Sequence, residues 1–272
     1  MAIAGAACLP ASWGAGALLH PTRHHVTVPK PPGAQDVVID GAGVKLRGWL
    51  FRGPGARRGT VVYLHGVADN RASGRGIADH FLARGFDVLA YDSRTHGESD
   101  GDACTYGYYE KFDLSRAIDT LSAQPVVAFG ASLGAAVGLQ AAAMDRRITA
   151  VVAVACFADL RTVATERAPS FATPSQLDAA FLLAEQQAHF HVNDVSPEAA
   201  ARTIGGAVFL IHGEADHETP PEHSRRIYRA LQGPKRLLIV PGAGHNDALR
   251  PEVWKEIDAW LESVVPARPG TG

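Results

Sequence analysis

From residue 37 onward, short runs of β-branched and aliphatic residues alternate with stretches whose apolar positions recur every three to four residues. That order predicts a mostly parallel sheet with helices on both faces, because parallel strands are buried on both sides and read as continuous apolar runs. Segments 37–40 and 45–51, separated by Gly41-Ala42-Gly43, predict an opening hairpin that forms an antiparallel edge. Six further strands are expected over 60–65 (TVVYLH), 86–92, 126–130, 148–156, 207–212 and 236–240, eight in all with the hairpin. Helices are expected over 74–84, 108–122, 131–144, 221–231 and 252–265, the first of them ended by Gly85 as a C-cap. The 131–144 helix is apolar nearly all round and should be buried against the sheet. Between 158 and 203 strand character is lost and a helix is legible near 176–187, so this stretch reads as a small helical cap inserted over the sheet. Residues 1–36 read as an N-terminal arm and 266–272 as a flexible tail.

Composition adds bounds rather than detail. With 272 residues and 46% hydrophobic positions the chain can bury a sizeable core, and one α/β domain over 37–265 is expected. A formal net charge of -2, with no Lys/Arg-rich run among aromatics, gives no electrostatic basis for binding nucleic acid. The three cysteines, Cys8, Cys104 and Cys156, lack metal-ligand spacing. The first 19 residues are rich in Ala, Gly and Leu but have no basic start and are broken by Pro10, so they read as a partly ordered arm or a clipped export signal. The stretch before Cys8 is similar to a lipoprotein cleavage site, with Gly5 where a larger aliphatic residue is usual. Localisation therefore stays open between cytoplasm and export. No later segment reaches the roughly 20 uninterrupted apolar residues of a transmembrane helix.

Candidate chemistry begins at Gly130-Ala131-Ser132-Leu133-Gly134, which fits G-x-S-x-G with a strand before it and a helix after it. A sharp strand-to-helix turn strains the central serine and requires small neighbours, which Gly130, Gly134 and Ala135 supply. Alone, the motif is equally a small-residue packing turn in a chain with 28 glycines. A serine hydroxyl is a poor nucleophile until a base takes its proton, so partners decide the matter. Asp216 lies just past the strand that ends in His212-Gly213-Glu214-Ala215-Asp216, and His245 lies in the Gly-rich loop after the last strand. Both positions are at strand carboxyl ends, where open α/β sheets build their sites. The plainer alternative for Asp216 is a loop carboxylate or a helix N-cap, and Glu214 and Glu218 are rival acids; no other histidine follows a late strand.

The stretches YLHG (63–66), DSRTHGES (92–99), GASLG, HGEAD and GAGHND resemble, in order and spacing, the α/β-hydrolase superfamily. The likeness covers roughly 37–265 and is strongest to the bacterial esterase, monoacylglycerol-lipase-like and serine-aminopeptidase-like branch. It implies Ser132 as nucleophile, His245 as general base and then acid, and Asp216 as the residue orienting His245. It also implies an oxyanion hole made by the backbone N–H groups of Val67 and Leu133, and it requires no cofactor and no metal. Within DSRTHGES, His96 and Ser99 are expected to fix the loop rather than to react. The substrate pocket is expected to be roofed by Phe171, Leu177, Phe181, Leu182 and Phe190, with His65 beside it, and such an apolar roof suits short to medium acyl or aromatic esters. The expected partner is a small-molecule ester, and the oligomeric state is not legible. Fold and triad do not choose between an esterase and a peptidase or thioesterase using the same groups. The reading from another class is a ligand-binding module on the same scaffold.

Overall fold

The computed structural model describes residues 10–55 and 57–266; the expectations for the stretch before Cys8 and for the tail beyond 266 lie outside these residues. Eight strands form one sheet: β1 (Ala34–Asp40), β2 (Lys45–Phe51), β3 (Gly59–Leu64), β4 (Phe86–Tyr91), β5 (Val126–Ala131), β6 (Ile148–Val154), β7 (Ala207–Gly213) and β8 (Lys235–Val240). Their spatial order is β1-β2-β4-β3-β5-β6-β7-β8. The β1/β2 and β2/β4 pairs are antiparallel and the remaining pairs parallel, as the hairpin followed by apolar runs predicts. Alternation along the strands divides the core into two layers. Val62, Leu64, Val126, Ala128 and Leu210 face one layer, whereas Val61, Val127, Phe129, Val152 and Phe209 face the other.

Helices α2 (Arg75–Leu82) and α9 (Pro251–Val264) cover the second layer through Phe81, Ile257 and Leu261. The first layer is covered by α3 (Glu110–Asp119), α4 (Leu133–Ala142) and α8 (Glu222–Ala230), through Leu114, Leu139 and Ile227. All ten residues of α4 are buried, which is why no polar stripe marks it. The helix expected over 74–84 is preceded by a 3₁₀ turn, Arg71–Gly74, because the Asn70 side chain accepts the Ala72 N–H at 3.0 Å and starts the coil earlier.

Between β6 and β7 the chain makes three helices where one was legible: α5 (Leu160–Glu166), α6 (Pro174–Ala188) and α7 (Pro197–Ala201). The two additional ones are too short to show periodicity, yet each carries a capping residue. Asp159 accepts the Thr162 N–H at 2.8 Å and Ser196 accepts the Ala199 N–H at 3.0 Å. In the stretch expected as an arm, Ala11–Leu19 is a helix, α1, packed on α6 with Ala15 and Leu19 buried. No described helix is long and apolar enough to cross a membrane.

Two buried histidines tie the loops after β3 and β4 together. His65 Nε2 accepts the Ser93 N–H at 2.9 Å, so its proton is on Nδ1, which donates to Gly66 O at 2.7 Å. His96 donates from Nδ1 to Arg94 O at 2.9 Å and packs its ring 5.1 Å from that of His65. Nearby, the fully buried Asp92 carboxylate pairs with the Arg71 guanidinium and accepts the backbone N–H groups of Arg71 and Glu98 at 2.6 and 2.8 Å. Burial pushes the imidazolium of His96 down to about 4, and burial moves His65 in the same direction.

Both rings are therefore held neutral in the folded chain, while the unfolded chain protonates them near their ordinary value of 6.5. Between pH about 6.5 and 4 the unfolded state binds protons the folded state refuses, so stability falls as the pH drops through that window. The urea midpoint should decrease from pH 7.5 to pH 5, and the decrease should be smaller in His96→Asn. A midpoint that does not move over this range contradicts the assignment.

Candidate active site

The turn from β5 into α4 puts Ser132 at φ 50° and ψ -111°, a left-handed backbone that costs a side-chain-bearing residue about 1–3 kcal/mol. The crossing is too tight for larger neighbours. A Cβ on Gly130 would stand 2.3 Å from the Gly134 backbone carbon, and one on Gly134 would stand 2.0 Å from Leu64 O. The Ser132 N–H is spent on Val154 O at 2.8 Å, whereas the Leu133 N–H heads a helix whose first-turn donors have no intrahelical acceptor. Ser132 remains 9% exposed, at the edge of a cavity rather than sealed in the core.

Asp216 follows β7 in a turn that uses every carboxylate lone pair. Oδ1 accepts the backbone N–H groups of Glu218 and Thr219 at 3.0 and 2.8 Å. Oδ2 accepts His245 Nδ1–H at 2.7 Å and faces His212 Nε2 at 3.2 Å. His212 is fully buried; its Nε2 must be the protonated nitrogen because it also meets Thr219 O at 2.7 Å, and its Nδ1 then accepts the Ser224 hydroxyl at 2.6 Å. Burial alone would raise the Asp216 carboxyl, but the hydrogen bonds from His212, His245 and the Thr219 N–H outweigh it and hold the group well below the usual carboxylate range. The rival acids Glu214 and Glu218 are exposed.

His245 reaches this carboxylate from the loop after β8, and with Asp216 accepting at Nδ1 its Nε2 is left to act on a substrate or a hydroxyl. Ser132 and His245 line one cavity of about 380 Å³, together with Gly66, Val67 and Asp69. Both side chains open onto this one cavity, and no hydrogen bond between them is formed. Chemically, the arrangement offers a hydroxyl on a strained turn, an imidazole oriented by a charged acid, and helix-terminal N–H groups beside them.

A second cavity, of about 370 Å³, is lined by Leu177 and Phe181 of α6, by Tyr106, by Trp13 and Leu18 of α1, and again by Val67. The other expected roof residues lie elsewhere. Phe171 and Leu182 are 60% and 56% exposed, and Phe190 is buried against Tyr108 at 5.9 Å, because the chain leaves α6 there and turns inward. His65 is fully buried and occupied by its two backbone partners, so it supports the loop and lines neither cavity. Sequence reasoning passed over His212, Asp69 and α1. His212 was visible as the first residue of HGEAD, four positions before Asp216.

Gly134→Ala should lower unfolding stability by at least about 2 kcal/mol, since the added methyl meets backbone that cannot yield. An unchanged urea midpoint for this variant contradicts the close crossing.

The family model described as alpha/beta hydrolase fold matches residues 59–180, the span from β3 into α6. The uncharacterized protein YfhR of Escherichia coli is 30% identical over 257 residues, covering 88% of this chain and 84% of its own. The uncharacterized Mycobacterium tuberculosis protein Rv2307c is 30% identical over 224 residues, covering 79% and 74%. Among solved structures, a Pyrococcus furiosus esterase superposes with a TM-score of 0.73 at 23% identity, over 90% of this chain and 99% of its own. An acetyl xylan esterase from Paenibacillus superposes with a TM-score of 0.69 at 20% identity, over 93% and 92%. The matching family model, together with sequence relatives that span most of the chain, leads to one assignment: this chain belongs to the α/β-hydrolase fold family.

Proposed function

We propose that the protein is a serine hydrolase that cleaves carboxylic esters through Ser132, His245 and Asp216. The observation that carries this reading is the 2.7 Å bond from His245 Nδ1 to Asp216 Oδ2, made by a histidine that lines the same cavity as Ser132. In the proposed reaction His245 Nε2 takes the Ser132 proton as Oγ attacks the ester carbonyl. The developing oxyanion is held by the N–H groups of Leu133 and Val67, and the positive end of α4 adds to the same effect. Nε2 then delivers its proton to the departing alkoxide, which leaves as the alcohol and an acyl group on Ser132. Water, deprotonated by the same nitrogen, attacks the acyl carbonyl; the acid departs and Ser132 regains its proton.

Throughout, Asp216 stays charged. Its depressed carboxyl keeps it an acceptor, so it stabilises the imidazolium without taking the proton itself. The apolar cavity that shares Val67 favours an acyl group of short to medium length or an aromatic acid. Esterase activity is preferred over peptidase activity on that ground, since the apolar cavity can accept an acyl chain without any peptide-backbone partner; a thioester carries the same acyl group, and comparison with acyl-CoA separates it.

A fluorophosphonate probe should label the protein at Ser132, and Ser132→Ala should abolish both labelling and hydrolysis of p-nitrophenyl butyrate. Asp216→Asn should keep the fold and lose about 10³–10⁴ in kcat, the loss typical when the acid can no longer fix the histidine tautomer. Labelling at another residue, or turnover that survives in Ser132→Ala, overturns the reading. Amide or acyl-CoA hydrolysis faster than ester hydrolysis would move it to the peptidase or thioesterase branch.

A further inference from the structure

The two cavities that meet at Val67 differ in charge. In the apolar one under α1 and α6 the only charged lining residue among the described residues is Arg167, whose guanidinium already bonds Glu218 O and Thr219 Oγ1 at 2.9 and 2.6 Å. The one holding Ser132 and His245 carries a carboxylate, Asp69, with Asn246 and Ser73 beside it. Asp69 Oδ1 accepts only the neighbouring Asn70 N–H, at 2.7 Å, and among the described residues no Lys, Arg or His pairs with it. The guanidinium two residues away, on Arg71, is committed to Asp92. A half-buried carboxylate thus shares the cavity of the reacting groups without a counter-charge from the protein.

Proton transfer decides which part of the substrate meets it. The leaving oxygen must take its proton from His245 Nε2, so the leaving group occupies the cavity that His245 lines, while the acyl group extends past Val67 into the apolar one. His245 does not line the apolar cavity. The departing alcohol is therefore released beside Asp69.

Building on the Ser132–His245 reading, we infer that the site selects esters of an apolar acid with a positively charged alcohol, such as an amino alcohol or a quaternary ammonium alcohol, and that Asp69 is the residue setting this preference. A cationic leaving group supplies the missing counter-charge within a concave site, where it is screened less than on an open surface. Asp69 touches the departing group and not the bond being broken, so it is a specificity residue.

The test compares two esters of one acid, butyrylcholine and 3,3-dimethylbutyl butyrate, which match in shape and differ in charge. The wild-type ratio of kcat/KM, cationic over neutral, should be about tenfold or more and should shrink as salt is raised from 20 mM to about 500 mM. In Asp69→Asn the ratio should fall towards one, and Asp69→Glu should recover part of it. A wild-type ratio near one overturns the inference, as does an Asp69→Asn variant that slows both esters alike and keeps the ratio. Fluorophosphonate labelling of Ser132 run on the same samples separates the two levels: labelling without charge preference removes only the role of Asp69, whereas absent labelling removes the serine-hydrolase reading beneath it.

Discussion

The close crossing of α4 over β3 and β5 is the constraint on which the rest of the site depends. Gly134 lies against the Leu64 carbonyl and Gly130 against the Gly134 backbone, so the chain must reverse within one residue, and Ser132 absorbs the strain at φ 50°. That strain is offset by burial. Each of the ten residues of α4 is removed from water, and even small apolar side chains contribute at roughly 25 cal/mol per Å². Gln140, the polar residue of α4, lies equally deep because its amide donates to Tyr106 O and Ala136 O at 3.0 and 3.1 Å; a shallower helix would not present its first turn at the sheet's carboxyl edge.

Charge in the site is organised around one carboxylate. Asp216 is buried, which should disfavour its ionised form, yet four donors converge on it and hold it charged. Two of these donors are histidines with different environments. His245 is reached from the cavity, whereas His212 is sealed in the interior, its one Nε2–H directed at the Thr219 carbonyl at 2.7 Å and facing the acid at 3.2 Å. The second histidine therefore supports the position of Asp216, leaving the first free to exchange protons with a bound molecule. Elsewhere around the same cavity the pattern differs: Asp69, half-buried, accepts the Asn70 N–H in place of a set of converging donors and pairs with no cation among the described residues.

The surrounding loops contribute by staying in place. The loop that carries Gly66 and Val67 is tied through His65 to Ser93, and the next loop is anchored by the Asp92 and Arg71 pair. Buried ion pairs add little net stability, since desolvation offsets attraction, but removing one partner is costly, which suits a fixed scaffold. Across the cavity the wall is assembled from distant parts of the chain. Helix α1 joins α6 there, and the Leu19 carbonyl accepts the Cys104 N–H at 2.8 Å, so the N-terminal segment is part of the pocket and not only a lead into the sheet.

Strand identity, the antiparallel opening edge, the apolar character of α4 and the succession Ser132, Asp216, His245 were all legible in the residues. These features are local or depend on chain order, and period, turn chemistry and motif spacing encode them. The short helices α5 and α7 escaped notice because five to seven residues cannot display a helical period. Which apolar side chains line the cavity was not legible either: Leu177 and Phe181 face it while Phe171, Leu182 and Phe190 do not, and nothing in their composition separates them. Only the tertiary structure decided that His65 is a support, that His212 joins Asp216, and that Asp69 lines the same cavity as the serine with no cation paired to it among the described residues. These are relations between segments far apart in the chain, or between one side chain and the space around it, and packing sets such relations where local sequence does not.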